Sequence, residues 1–313
     1  MTPVSTDRPR PVYGVDFSAA ERDAGTKTWI TTGVVVDGDL EVRSVEPLVE
    51  FLDLPSAGRA EALPALAAWI RGLGEHAVVG LDFPFGVPSF IAEAAGYDSW
   101  REFIRGFPES LCVDADGDAT DPVRAFAQRC VALTDEHGEG TYDKRGTDAA
   151  VGARSPYGFI ADTITYYGMR EVLAPIVDDV RVAPMDAAEG VKGDEPAWRS
   201  DAPAGPTLVE TYPAAVFDAL GLCRTKYKGS SDTETVRRRR NAKGLTTEGT
   251  LTYKSGSGLL DRIVANDGGD ALDSVAACLG AFDATESGYA VTTDSVDPGT
   301  VALEGYIYAL RAR

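Results

Sequence analysis

The chain has 313 residues, 44% of them hydrophobic and 25% charged, with a formal net charge of −19. Such a length can bury a sizeable core, in one large domain or two small ones, and such a charge repels nucleic acid and anionic membranes at long range. No run of about 18 apolar residues exists to span a bilayer, and the polar stretch 1–11 lacks a signal peptide's apolar segment, so a cytoplasmic protein is expected.

Seven lysines stand against 23 arginines. Abundant acid with little lysine suits a protein that stays hydrated in concentrated salt. The Debye length there is only about 3 Å, so overall repulsion hardly reaches a ligand. Cys112, Cys130, Cys223 and Cys278 are scattered without metal-ligand spacing and are expected as reduced thiols.

The first predicted strand runs over Val12–Ala20 and carries one acid, Asp16. A side-chain period of two places Val12, Gly14 and Asp16 on one face and Tyr13, Val15 and Phe17 on the other. An acid among such neighbours loses hydration unless it is paired or bound to metal. It can also simply cap the next turn. Lys27–Val36 and Leu40–Val45 read as further strands, and Asp37-Gly38 between them is a two-residue hairpin turn. The opening is therefore three antiparallel strands.

A helix starts near residue 62, with Leu63, Leu66, Ala67, Ile70 and Leu73 at helical spacing. Ala77–Asp82 follows as a short apolar strand, parallel because it returns after a helix. It ends on a second acid, Asp82. Asp114–Asp118 resembles a calcium loop only superficially, because Gly117 is fourth and Ala125 twelfth where Gly is needed sixth and Glu twelfth. Residues 113–205 read as an inserted helical cap, with one helix over Phe159–Ile176.

Thr207–Pro213 is again a short strand with an acid, Glu210. Ser231–Ala242 reads as a helix opened by a Ser231/Glu234 capping box and stopped by Gly244. Its basic end, Arg237 to Arg240, either favours the helix dipole or contacts phosphate. The last long helix covers Gly268–Phe282, with Asp267 as its expected N-cap. Asp270 and Asp273, three apart, are neighbours on one face. Glu304–Tyr308 reads as a closing strand.

This order of strands, helices and acids resembles the RNase H-like superfamily and its RuvC-like resolvases. Gly14-Val15-Asp16 looks like their first-strand motif. Asp270-Ala271-Leu272-Asp273 is similar to their final-helix pattern. A closer resemblance, through Gly14–Ser18, Asp82–Pro88, Glu210–Pro213 and Glu304–Ile307, is to the family called domain of unknown function 429, predicted RNase H-like nucleases. The resemblance implies an α/β fold: a mixed five-stranded sheet, three antiparallel then two parallel strands, flanked by helices. It forms a single domain over 1–313, with core 12–112 and 206–313.

It also implies a metal-dependent nuclease or phosphodiesterase. Asp16, Asp82, Asp270 and Asp273 would be catalytic and would hold two Mg²⁺ or Mn²⁺ ions, with Glu210 as a further ligand or as a residue that orients the ligands from behind. Gathered carboxylates repel by about 4 kcal/mol per pair at 4 Å and an effective dielectric near 20; paired divalent ions relieve this and activate water. Lys144, Arg154, Arg237 and Arg240 are candidates for holding the phosphates of a nucleic acid or nucleotide. Two other expectations remain open: an actin-like ATPase or sugar-kinase-type phosphotransferase, and a non-enzymatic binding protein on the same fold. His76 and His137 lack the neighbouring nucleophile elbow a Ser-His-Asp hydrolase needs.

Overall fold

β1 (Pro11–Asp16) is the strand from which the sheet grows. The computed structural model describes residues 10–107, 109–112, 121–187, 198–247, 251–292 and 296–310, so the acidic stretch Asp114–Asp118 lies outside the described residues. β2 (Trp29–Val36) runs antiparallel to β1, and β3 (Asp39–Pro47) runs antiparallel to β2. Asp37 and Gly38 between them have φ of 52° and 88°, the backbone a tight hairpin demands. After the helix Arg59–Arg71, β4 (Val78–Asp82) returns parallel to β1.

The expected five strands are all present, but the sheet has eight. β5 (Arg181–Ala183), β6 (Thr207–Thr211), β7 (Leu251–Tyr253) and β8 (Ile307–Tyr308) complete the order β5-β6-β4-β1-β2-β3-β7, with β8 beside β6. β5 and β7 are edge strands of three residues, too few for alternation to register in a sequence, whereas β8 forms the last two residues of the expected closing strand. Glu304 does not begin β8; it ends the helix Pro298–Glu304.

Two apolar layers sandwich the sheet. On one face Val15, Leu81 and Leu208 pack with Leu63, Leu66 and Ile70 of the first long helix. Phe126, Tyr157, Tyr166, Met169 and Val172 belong to this same layer. The stretch expected as a cap therefore builds much of one core and adds β5, rather than sitting outside the fold. Its predicted helix over Phe159–Ile176 begins at Ala161 and widens to π-type turns over Gly168–Leu173.

On the other face Val12, Val78 and Val209 meet Leu272, Val275 and Leu279 of the closing helix, Asp270–Glu286. That helix lies against β1 and β4 at backbone distance. A Cβ on Gly14 would stand 2.1 Å from Cys278 N and Ser274 O, and one on Gly80 would stand 2.6 Å from Ala277 O. Only glycine permits this approach. The closing helix is capped by Gly269 at φ +81°, not by Asp267. The capping box of the helix Asp232–Thr247 forms as expected, Ser231 N donating to Glu234 Oε2 at 3.0 Å, but Gly244 lies inside that helix rather than ending it. Among the described residues, no helix is long and apolar enough to cross a membrane.

Candidate acidic site at the ends of the central strands

Asp16 and Asp82 are direct register partners across β1 and β4. Neighbours in register share a face, and this one is the face of Gly14 and Gly80, against the closing helix. The first turn of that helix brings Asp270 and Asp273 to the same place. Asp16 is 7% exposed and Asp273 3%. Burial, with repulsion from Asp273, Asp270 and Asp82, pushes the Asp16 pKa well above the carboxylate range against the pull of Lys228. Burial and Asp273 push Asp82 to about 8. Asp270 is raised by burial, with Lys228 opposing and Asp273 adding. Asp16 thus feels the charge of the other three predicted aspartates, and Asp273 acts on each of Asp16, Asp82 and Asp270.

The site also holds residues that sequence reasoning missed. Lys228 Nζ lies 2.7 Å from Asp273 Oδ2 and 3.9 Å from Asp270 Oδ1. Tyr227 OH donates to Asp273 Oδ1 at 2.8 Å. Both oxygens of Asp273 are therefore engaged by protein donors. Burial opposes the Lys228 charge, but Asp273 and Asp16 outweigh it and hold its pKa above the ordinary lysine value. Among the described residues, the carboxylates of Asp16 and Asp82 accept no hydrogen bond and join no ion pair. Trp29, in register with Asp16 across β2, borders the site with an indole N–H that has no partner among the described residues.

Arg238 holds the lysine's loop in place. It is fully buried on the helix Asp232–Thr247. Its Nη1 donates to the carbonyls of Tyr227 (2.7 Å) and Gly229 (2.6 Å), on either side of Lys228. Its Nη2 meets Asp267 Oδ1 at 2.9 Å, which is where the expected N-cap acid is used instead. A signal was present: Arg238, Asn241, Ala242 and Leu245 fall at the i, i+3, i+4, i+7 spacing of a buried helix face.

Glu210 does not join the aspartates. Its register partner is Leu81, not Asp82, so it leaves the sheet on the opposite face. There Arg145 Nη2 donates to Glu210 Oε1 at 2.5 Å, and Arg145 Nη1 (2.8 Å) and Phe85 N (3.0 Å) donate to Oε2. Arg145 also binds Asp148, its Nη2 reaching Oδ1 at 2.7 Å. Burial works against the Arg145 charge, but Asp148 and Glu210 more than compensate and raise its pKa. Glu210 is a structural partner, and the ligand role expected for it has no free oxygen to serve it.

The expected phosphate-holding side chains stay outside the cluster. Lys144, Arg154 and Arg240 are exposed, and Arg154 only approaches the Phe159 carbonyl, at 3.5 Å. Arg237 donates to Lys226 O at 3.2 Å. None of the four forms an ion pair with Asp16, Asp82, Asp270 or Asp273 among the described residues.

Hard carboxylate oxygens suit Mg²⁺ or Mn²⁺. The unpartnered Asp16 and Asp82 fit such an ion, whereas Asp273 is already satisfied. Accordingly, among the described residues no three His, Cys, Asp or Glu side chains are grouped to hold a metal. No family model matches the chain, and neither a curated protein nor a solved structure matches it.

Proposed function

We propose that this protein is a divalent-cation-dependent hydrolase of phosphodiester bonds in a nucleic acid or nucleotide. One observation carries the reading: two carboxylates without a protein donor among the described residues, Asp16 buried and Asp82 half-buried, stand side by side in register, with Asp270 and Asp273 on the facing helix and the Lys228 ammonium paired to Asp273. That excess of negative charge asks for a cation. The antiparallel β1-β2-β3 block, continued by parallel β4 and β6, supports an RNase H-like arrangement, in which acids at these strand ends serve the same chemistry.

When bound, a divalent ion would polarise the phosphoryl oxygen and lower the pKa of a coordinated water. Asp16 and Asp82 would hold the ion at the strand ends. Asp270, whose side chain is 22% exposed, stands at the rim, where a carboxylate would be placed to accept a proton from attacking water. Recognition of substrate must be local, because the −19 surface repels a polyanion at long range.

The test compares wild type with Asp16→Asn on bis(p-nitrophenyl) phosphate and on short DNA and RNA oligonucleotides, with Mg²⁺ or Mn²⁺. Cleavage by the wild type and at least a hundredfold loss in a folded variant is expected, in the range for removing a group central to an active site. Equal activity in the two proteins sinks the mechanism. Thermal stabilisation by nucleotide, with none by the cation alone, would point to a phosphotransferase instead.

A further inference from the structure

We propose that this site takes a single divalent cation, at Asp16 and Asp82, and that the Lys228 ammonium is the site's second, built-in positive charge. The proposal rests on the hydrolase reading above, whose family resemblance implies two ions.

The lysine is placed by construction. Its backbone is bracketed by Lys226 at φ +62° and Gly229 at φ +127°. The carbonyls before and after it are both held by one guanidinium group, that of Arg238, and Gly229 N donates to Asp267 O at 2.7 Å. Its stem passes over Gly269, where a Cβ would stand only 2.9 Å from Lys228 Cγ. Thus a buried arginine, two positive-φ positions and a missing methyl group all serve the path of one half-exposed side chain.

The ammonium ends where a second ion would have to bind. It contacts Asp273 at 2.7 Å and faces Asp270 at 3.9 Å, and Tyr227 takes the remaining oxygen of Asp273. A hard cation seeks these same oxygens, and two positive charges cannot share them. The pair left without protein donors is Asp16 and Asp82. The half-exposed lysine (side chain 52%) also opens to solvent, so the same ammonium can meet an incoming phosphate.

Full-length protein is titrated with Mn²⁺ and the bound ion counted by electron paramagnetic resonance, for wild type, Lys228→Met and Lys228→Arg. The methionine keeps the stem over Gly269 and removes the charge; the arginine keeps the charge. One ion per chain in wild type and in Lys228→Arg, and two in Lys228→Met, is the expected result. Two ions in wild type overturn the lysine's role and leave the hydrolase reading intact. One ion in all three proteins also overturns it, since the lysine then does not occupy an ion's place. No bound ion in any of them removes the cation site and both readings with it. Should Lys228→Met fail to fold, Lys228→Gln, which also removes the charge, takes its place in the count with the same two outcomes.

Discussion

Asp82 ends β4, whereas Glu210, one residue short of the end of the parallel β6, pairs with Leu81, so the two carboxylates leave the sheet on opposite faces. Substituting them therefore separates two roles. Asp82→Asn is expected to weaken Mn²⁺ binding by about tenfold or more, the scale seen when a metal site loses part of its support. Glu210→Gln should leave Mn²⁺ affinity unchanged while lowering stability. Calorimetric titration with denaturant melts of both variants checks this, and a loss of Mn²⁺ binding in Glu210→Gln refutes the assignment of faces.

Arg145→Met should cost roughly 3–5 kcal/mol, because it strands Glu210 and Asp148 as buried charges without their partner. Both are nearly inaccessible, at 2% and 1% exposure. Urea unfolding measures the loss. Restoring some stability with the double substitution Arg145→Met, Glu210→Gln would show that the stranded charge causes it. An undiminished midpoint in the single variant would contradict the account.

The acid cluster makes the cation-free protein sensitive to alkali. Asp82 has an ordinary value near 3.8 and a folded value of about 8. Between those values the unfolded chain has released a proton that the folded chain retains, so stability falls as pH rises through that window and levels off above 8. The slope from this group is at most about 1.4 kcal/mol per pH unit. Asp82→Asn, which mimics the protonated state, should melt higher than wild type at pH 8.5 without divalent ions and lose that advantage as pH approaches 4. Equal melting temperatures at pH 8.5 would mean the carboxylate is not held under strain.

Gly14→Ala should prevent stable folding. The added methyl meets backbone atoms Cys278 N and Ser274 O at 2.1 Å, so no side-chain rotation relieves it. The cost exceeds the ~1–3 kcal/mol of ordinary overpacking. Soluble yield and thermal melting report the effect, and a variant with native stability would show that the helix is not seated on the strand.

Salt should stabilise the protein. With a net charge of −19, self-repulsion favours the expanded state and is screened as ionic strength rises. A melting temperature that climbs by several degrees between 0.1 M and 2 M KCl is expected. Indifference to KCl would mean the acidic surface carries no such penalty.

The central strands, Asp16, Asp82 and the helical pair Asp270 and Asp273 were legible because each rests on a local period: two for a strand, three or four for a helix. Glu210 was misassigned because faces in a sheet depend on register, and a register between Leu81 and Glu210 is a long-range fact. The arginines at 237–240 read as one basic run, yet a helical turn sends Arg238 into the core and leaves Arg239 and Arg240 outside. Lys228 sits in a stretch of turn residues with no period at all. Only its distance to Asp273, across 45 residues of chain, gives it meaning. The stretch 113–205 read as an inserted helical cap, because the core layer that its described apolar residues share with strands from both ends of the chain is a long-range fact.

The closing helix touches β1 and β4 backbone to backbone, through Gly14 and Gly80. Strand ends and helix start therefore cannot drift apart to ease the crowding of their acids. The crowding is eased instead by proton uptake, as at Asp82, and by the ammonium that Lys228 brings to Asp273, so the charge at this corner and the seating of the helix on the sheet are tied together.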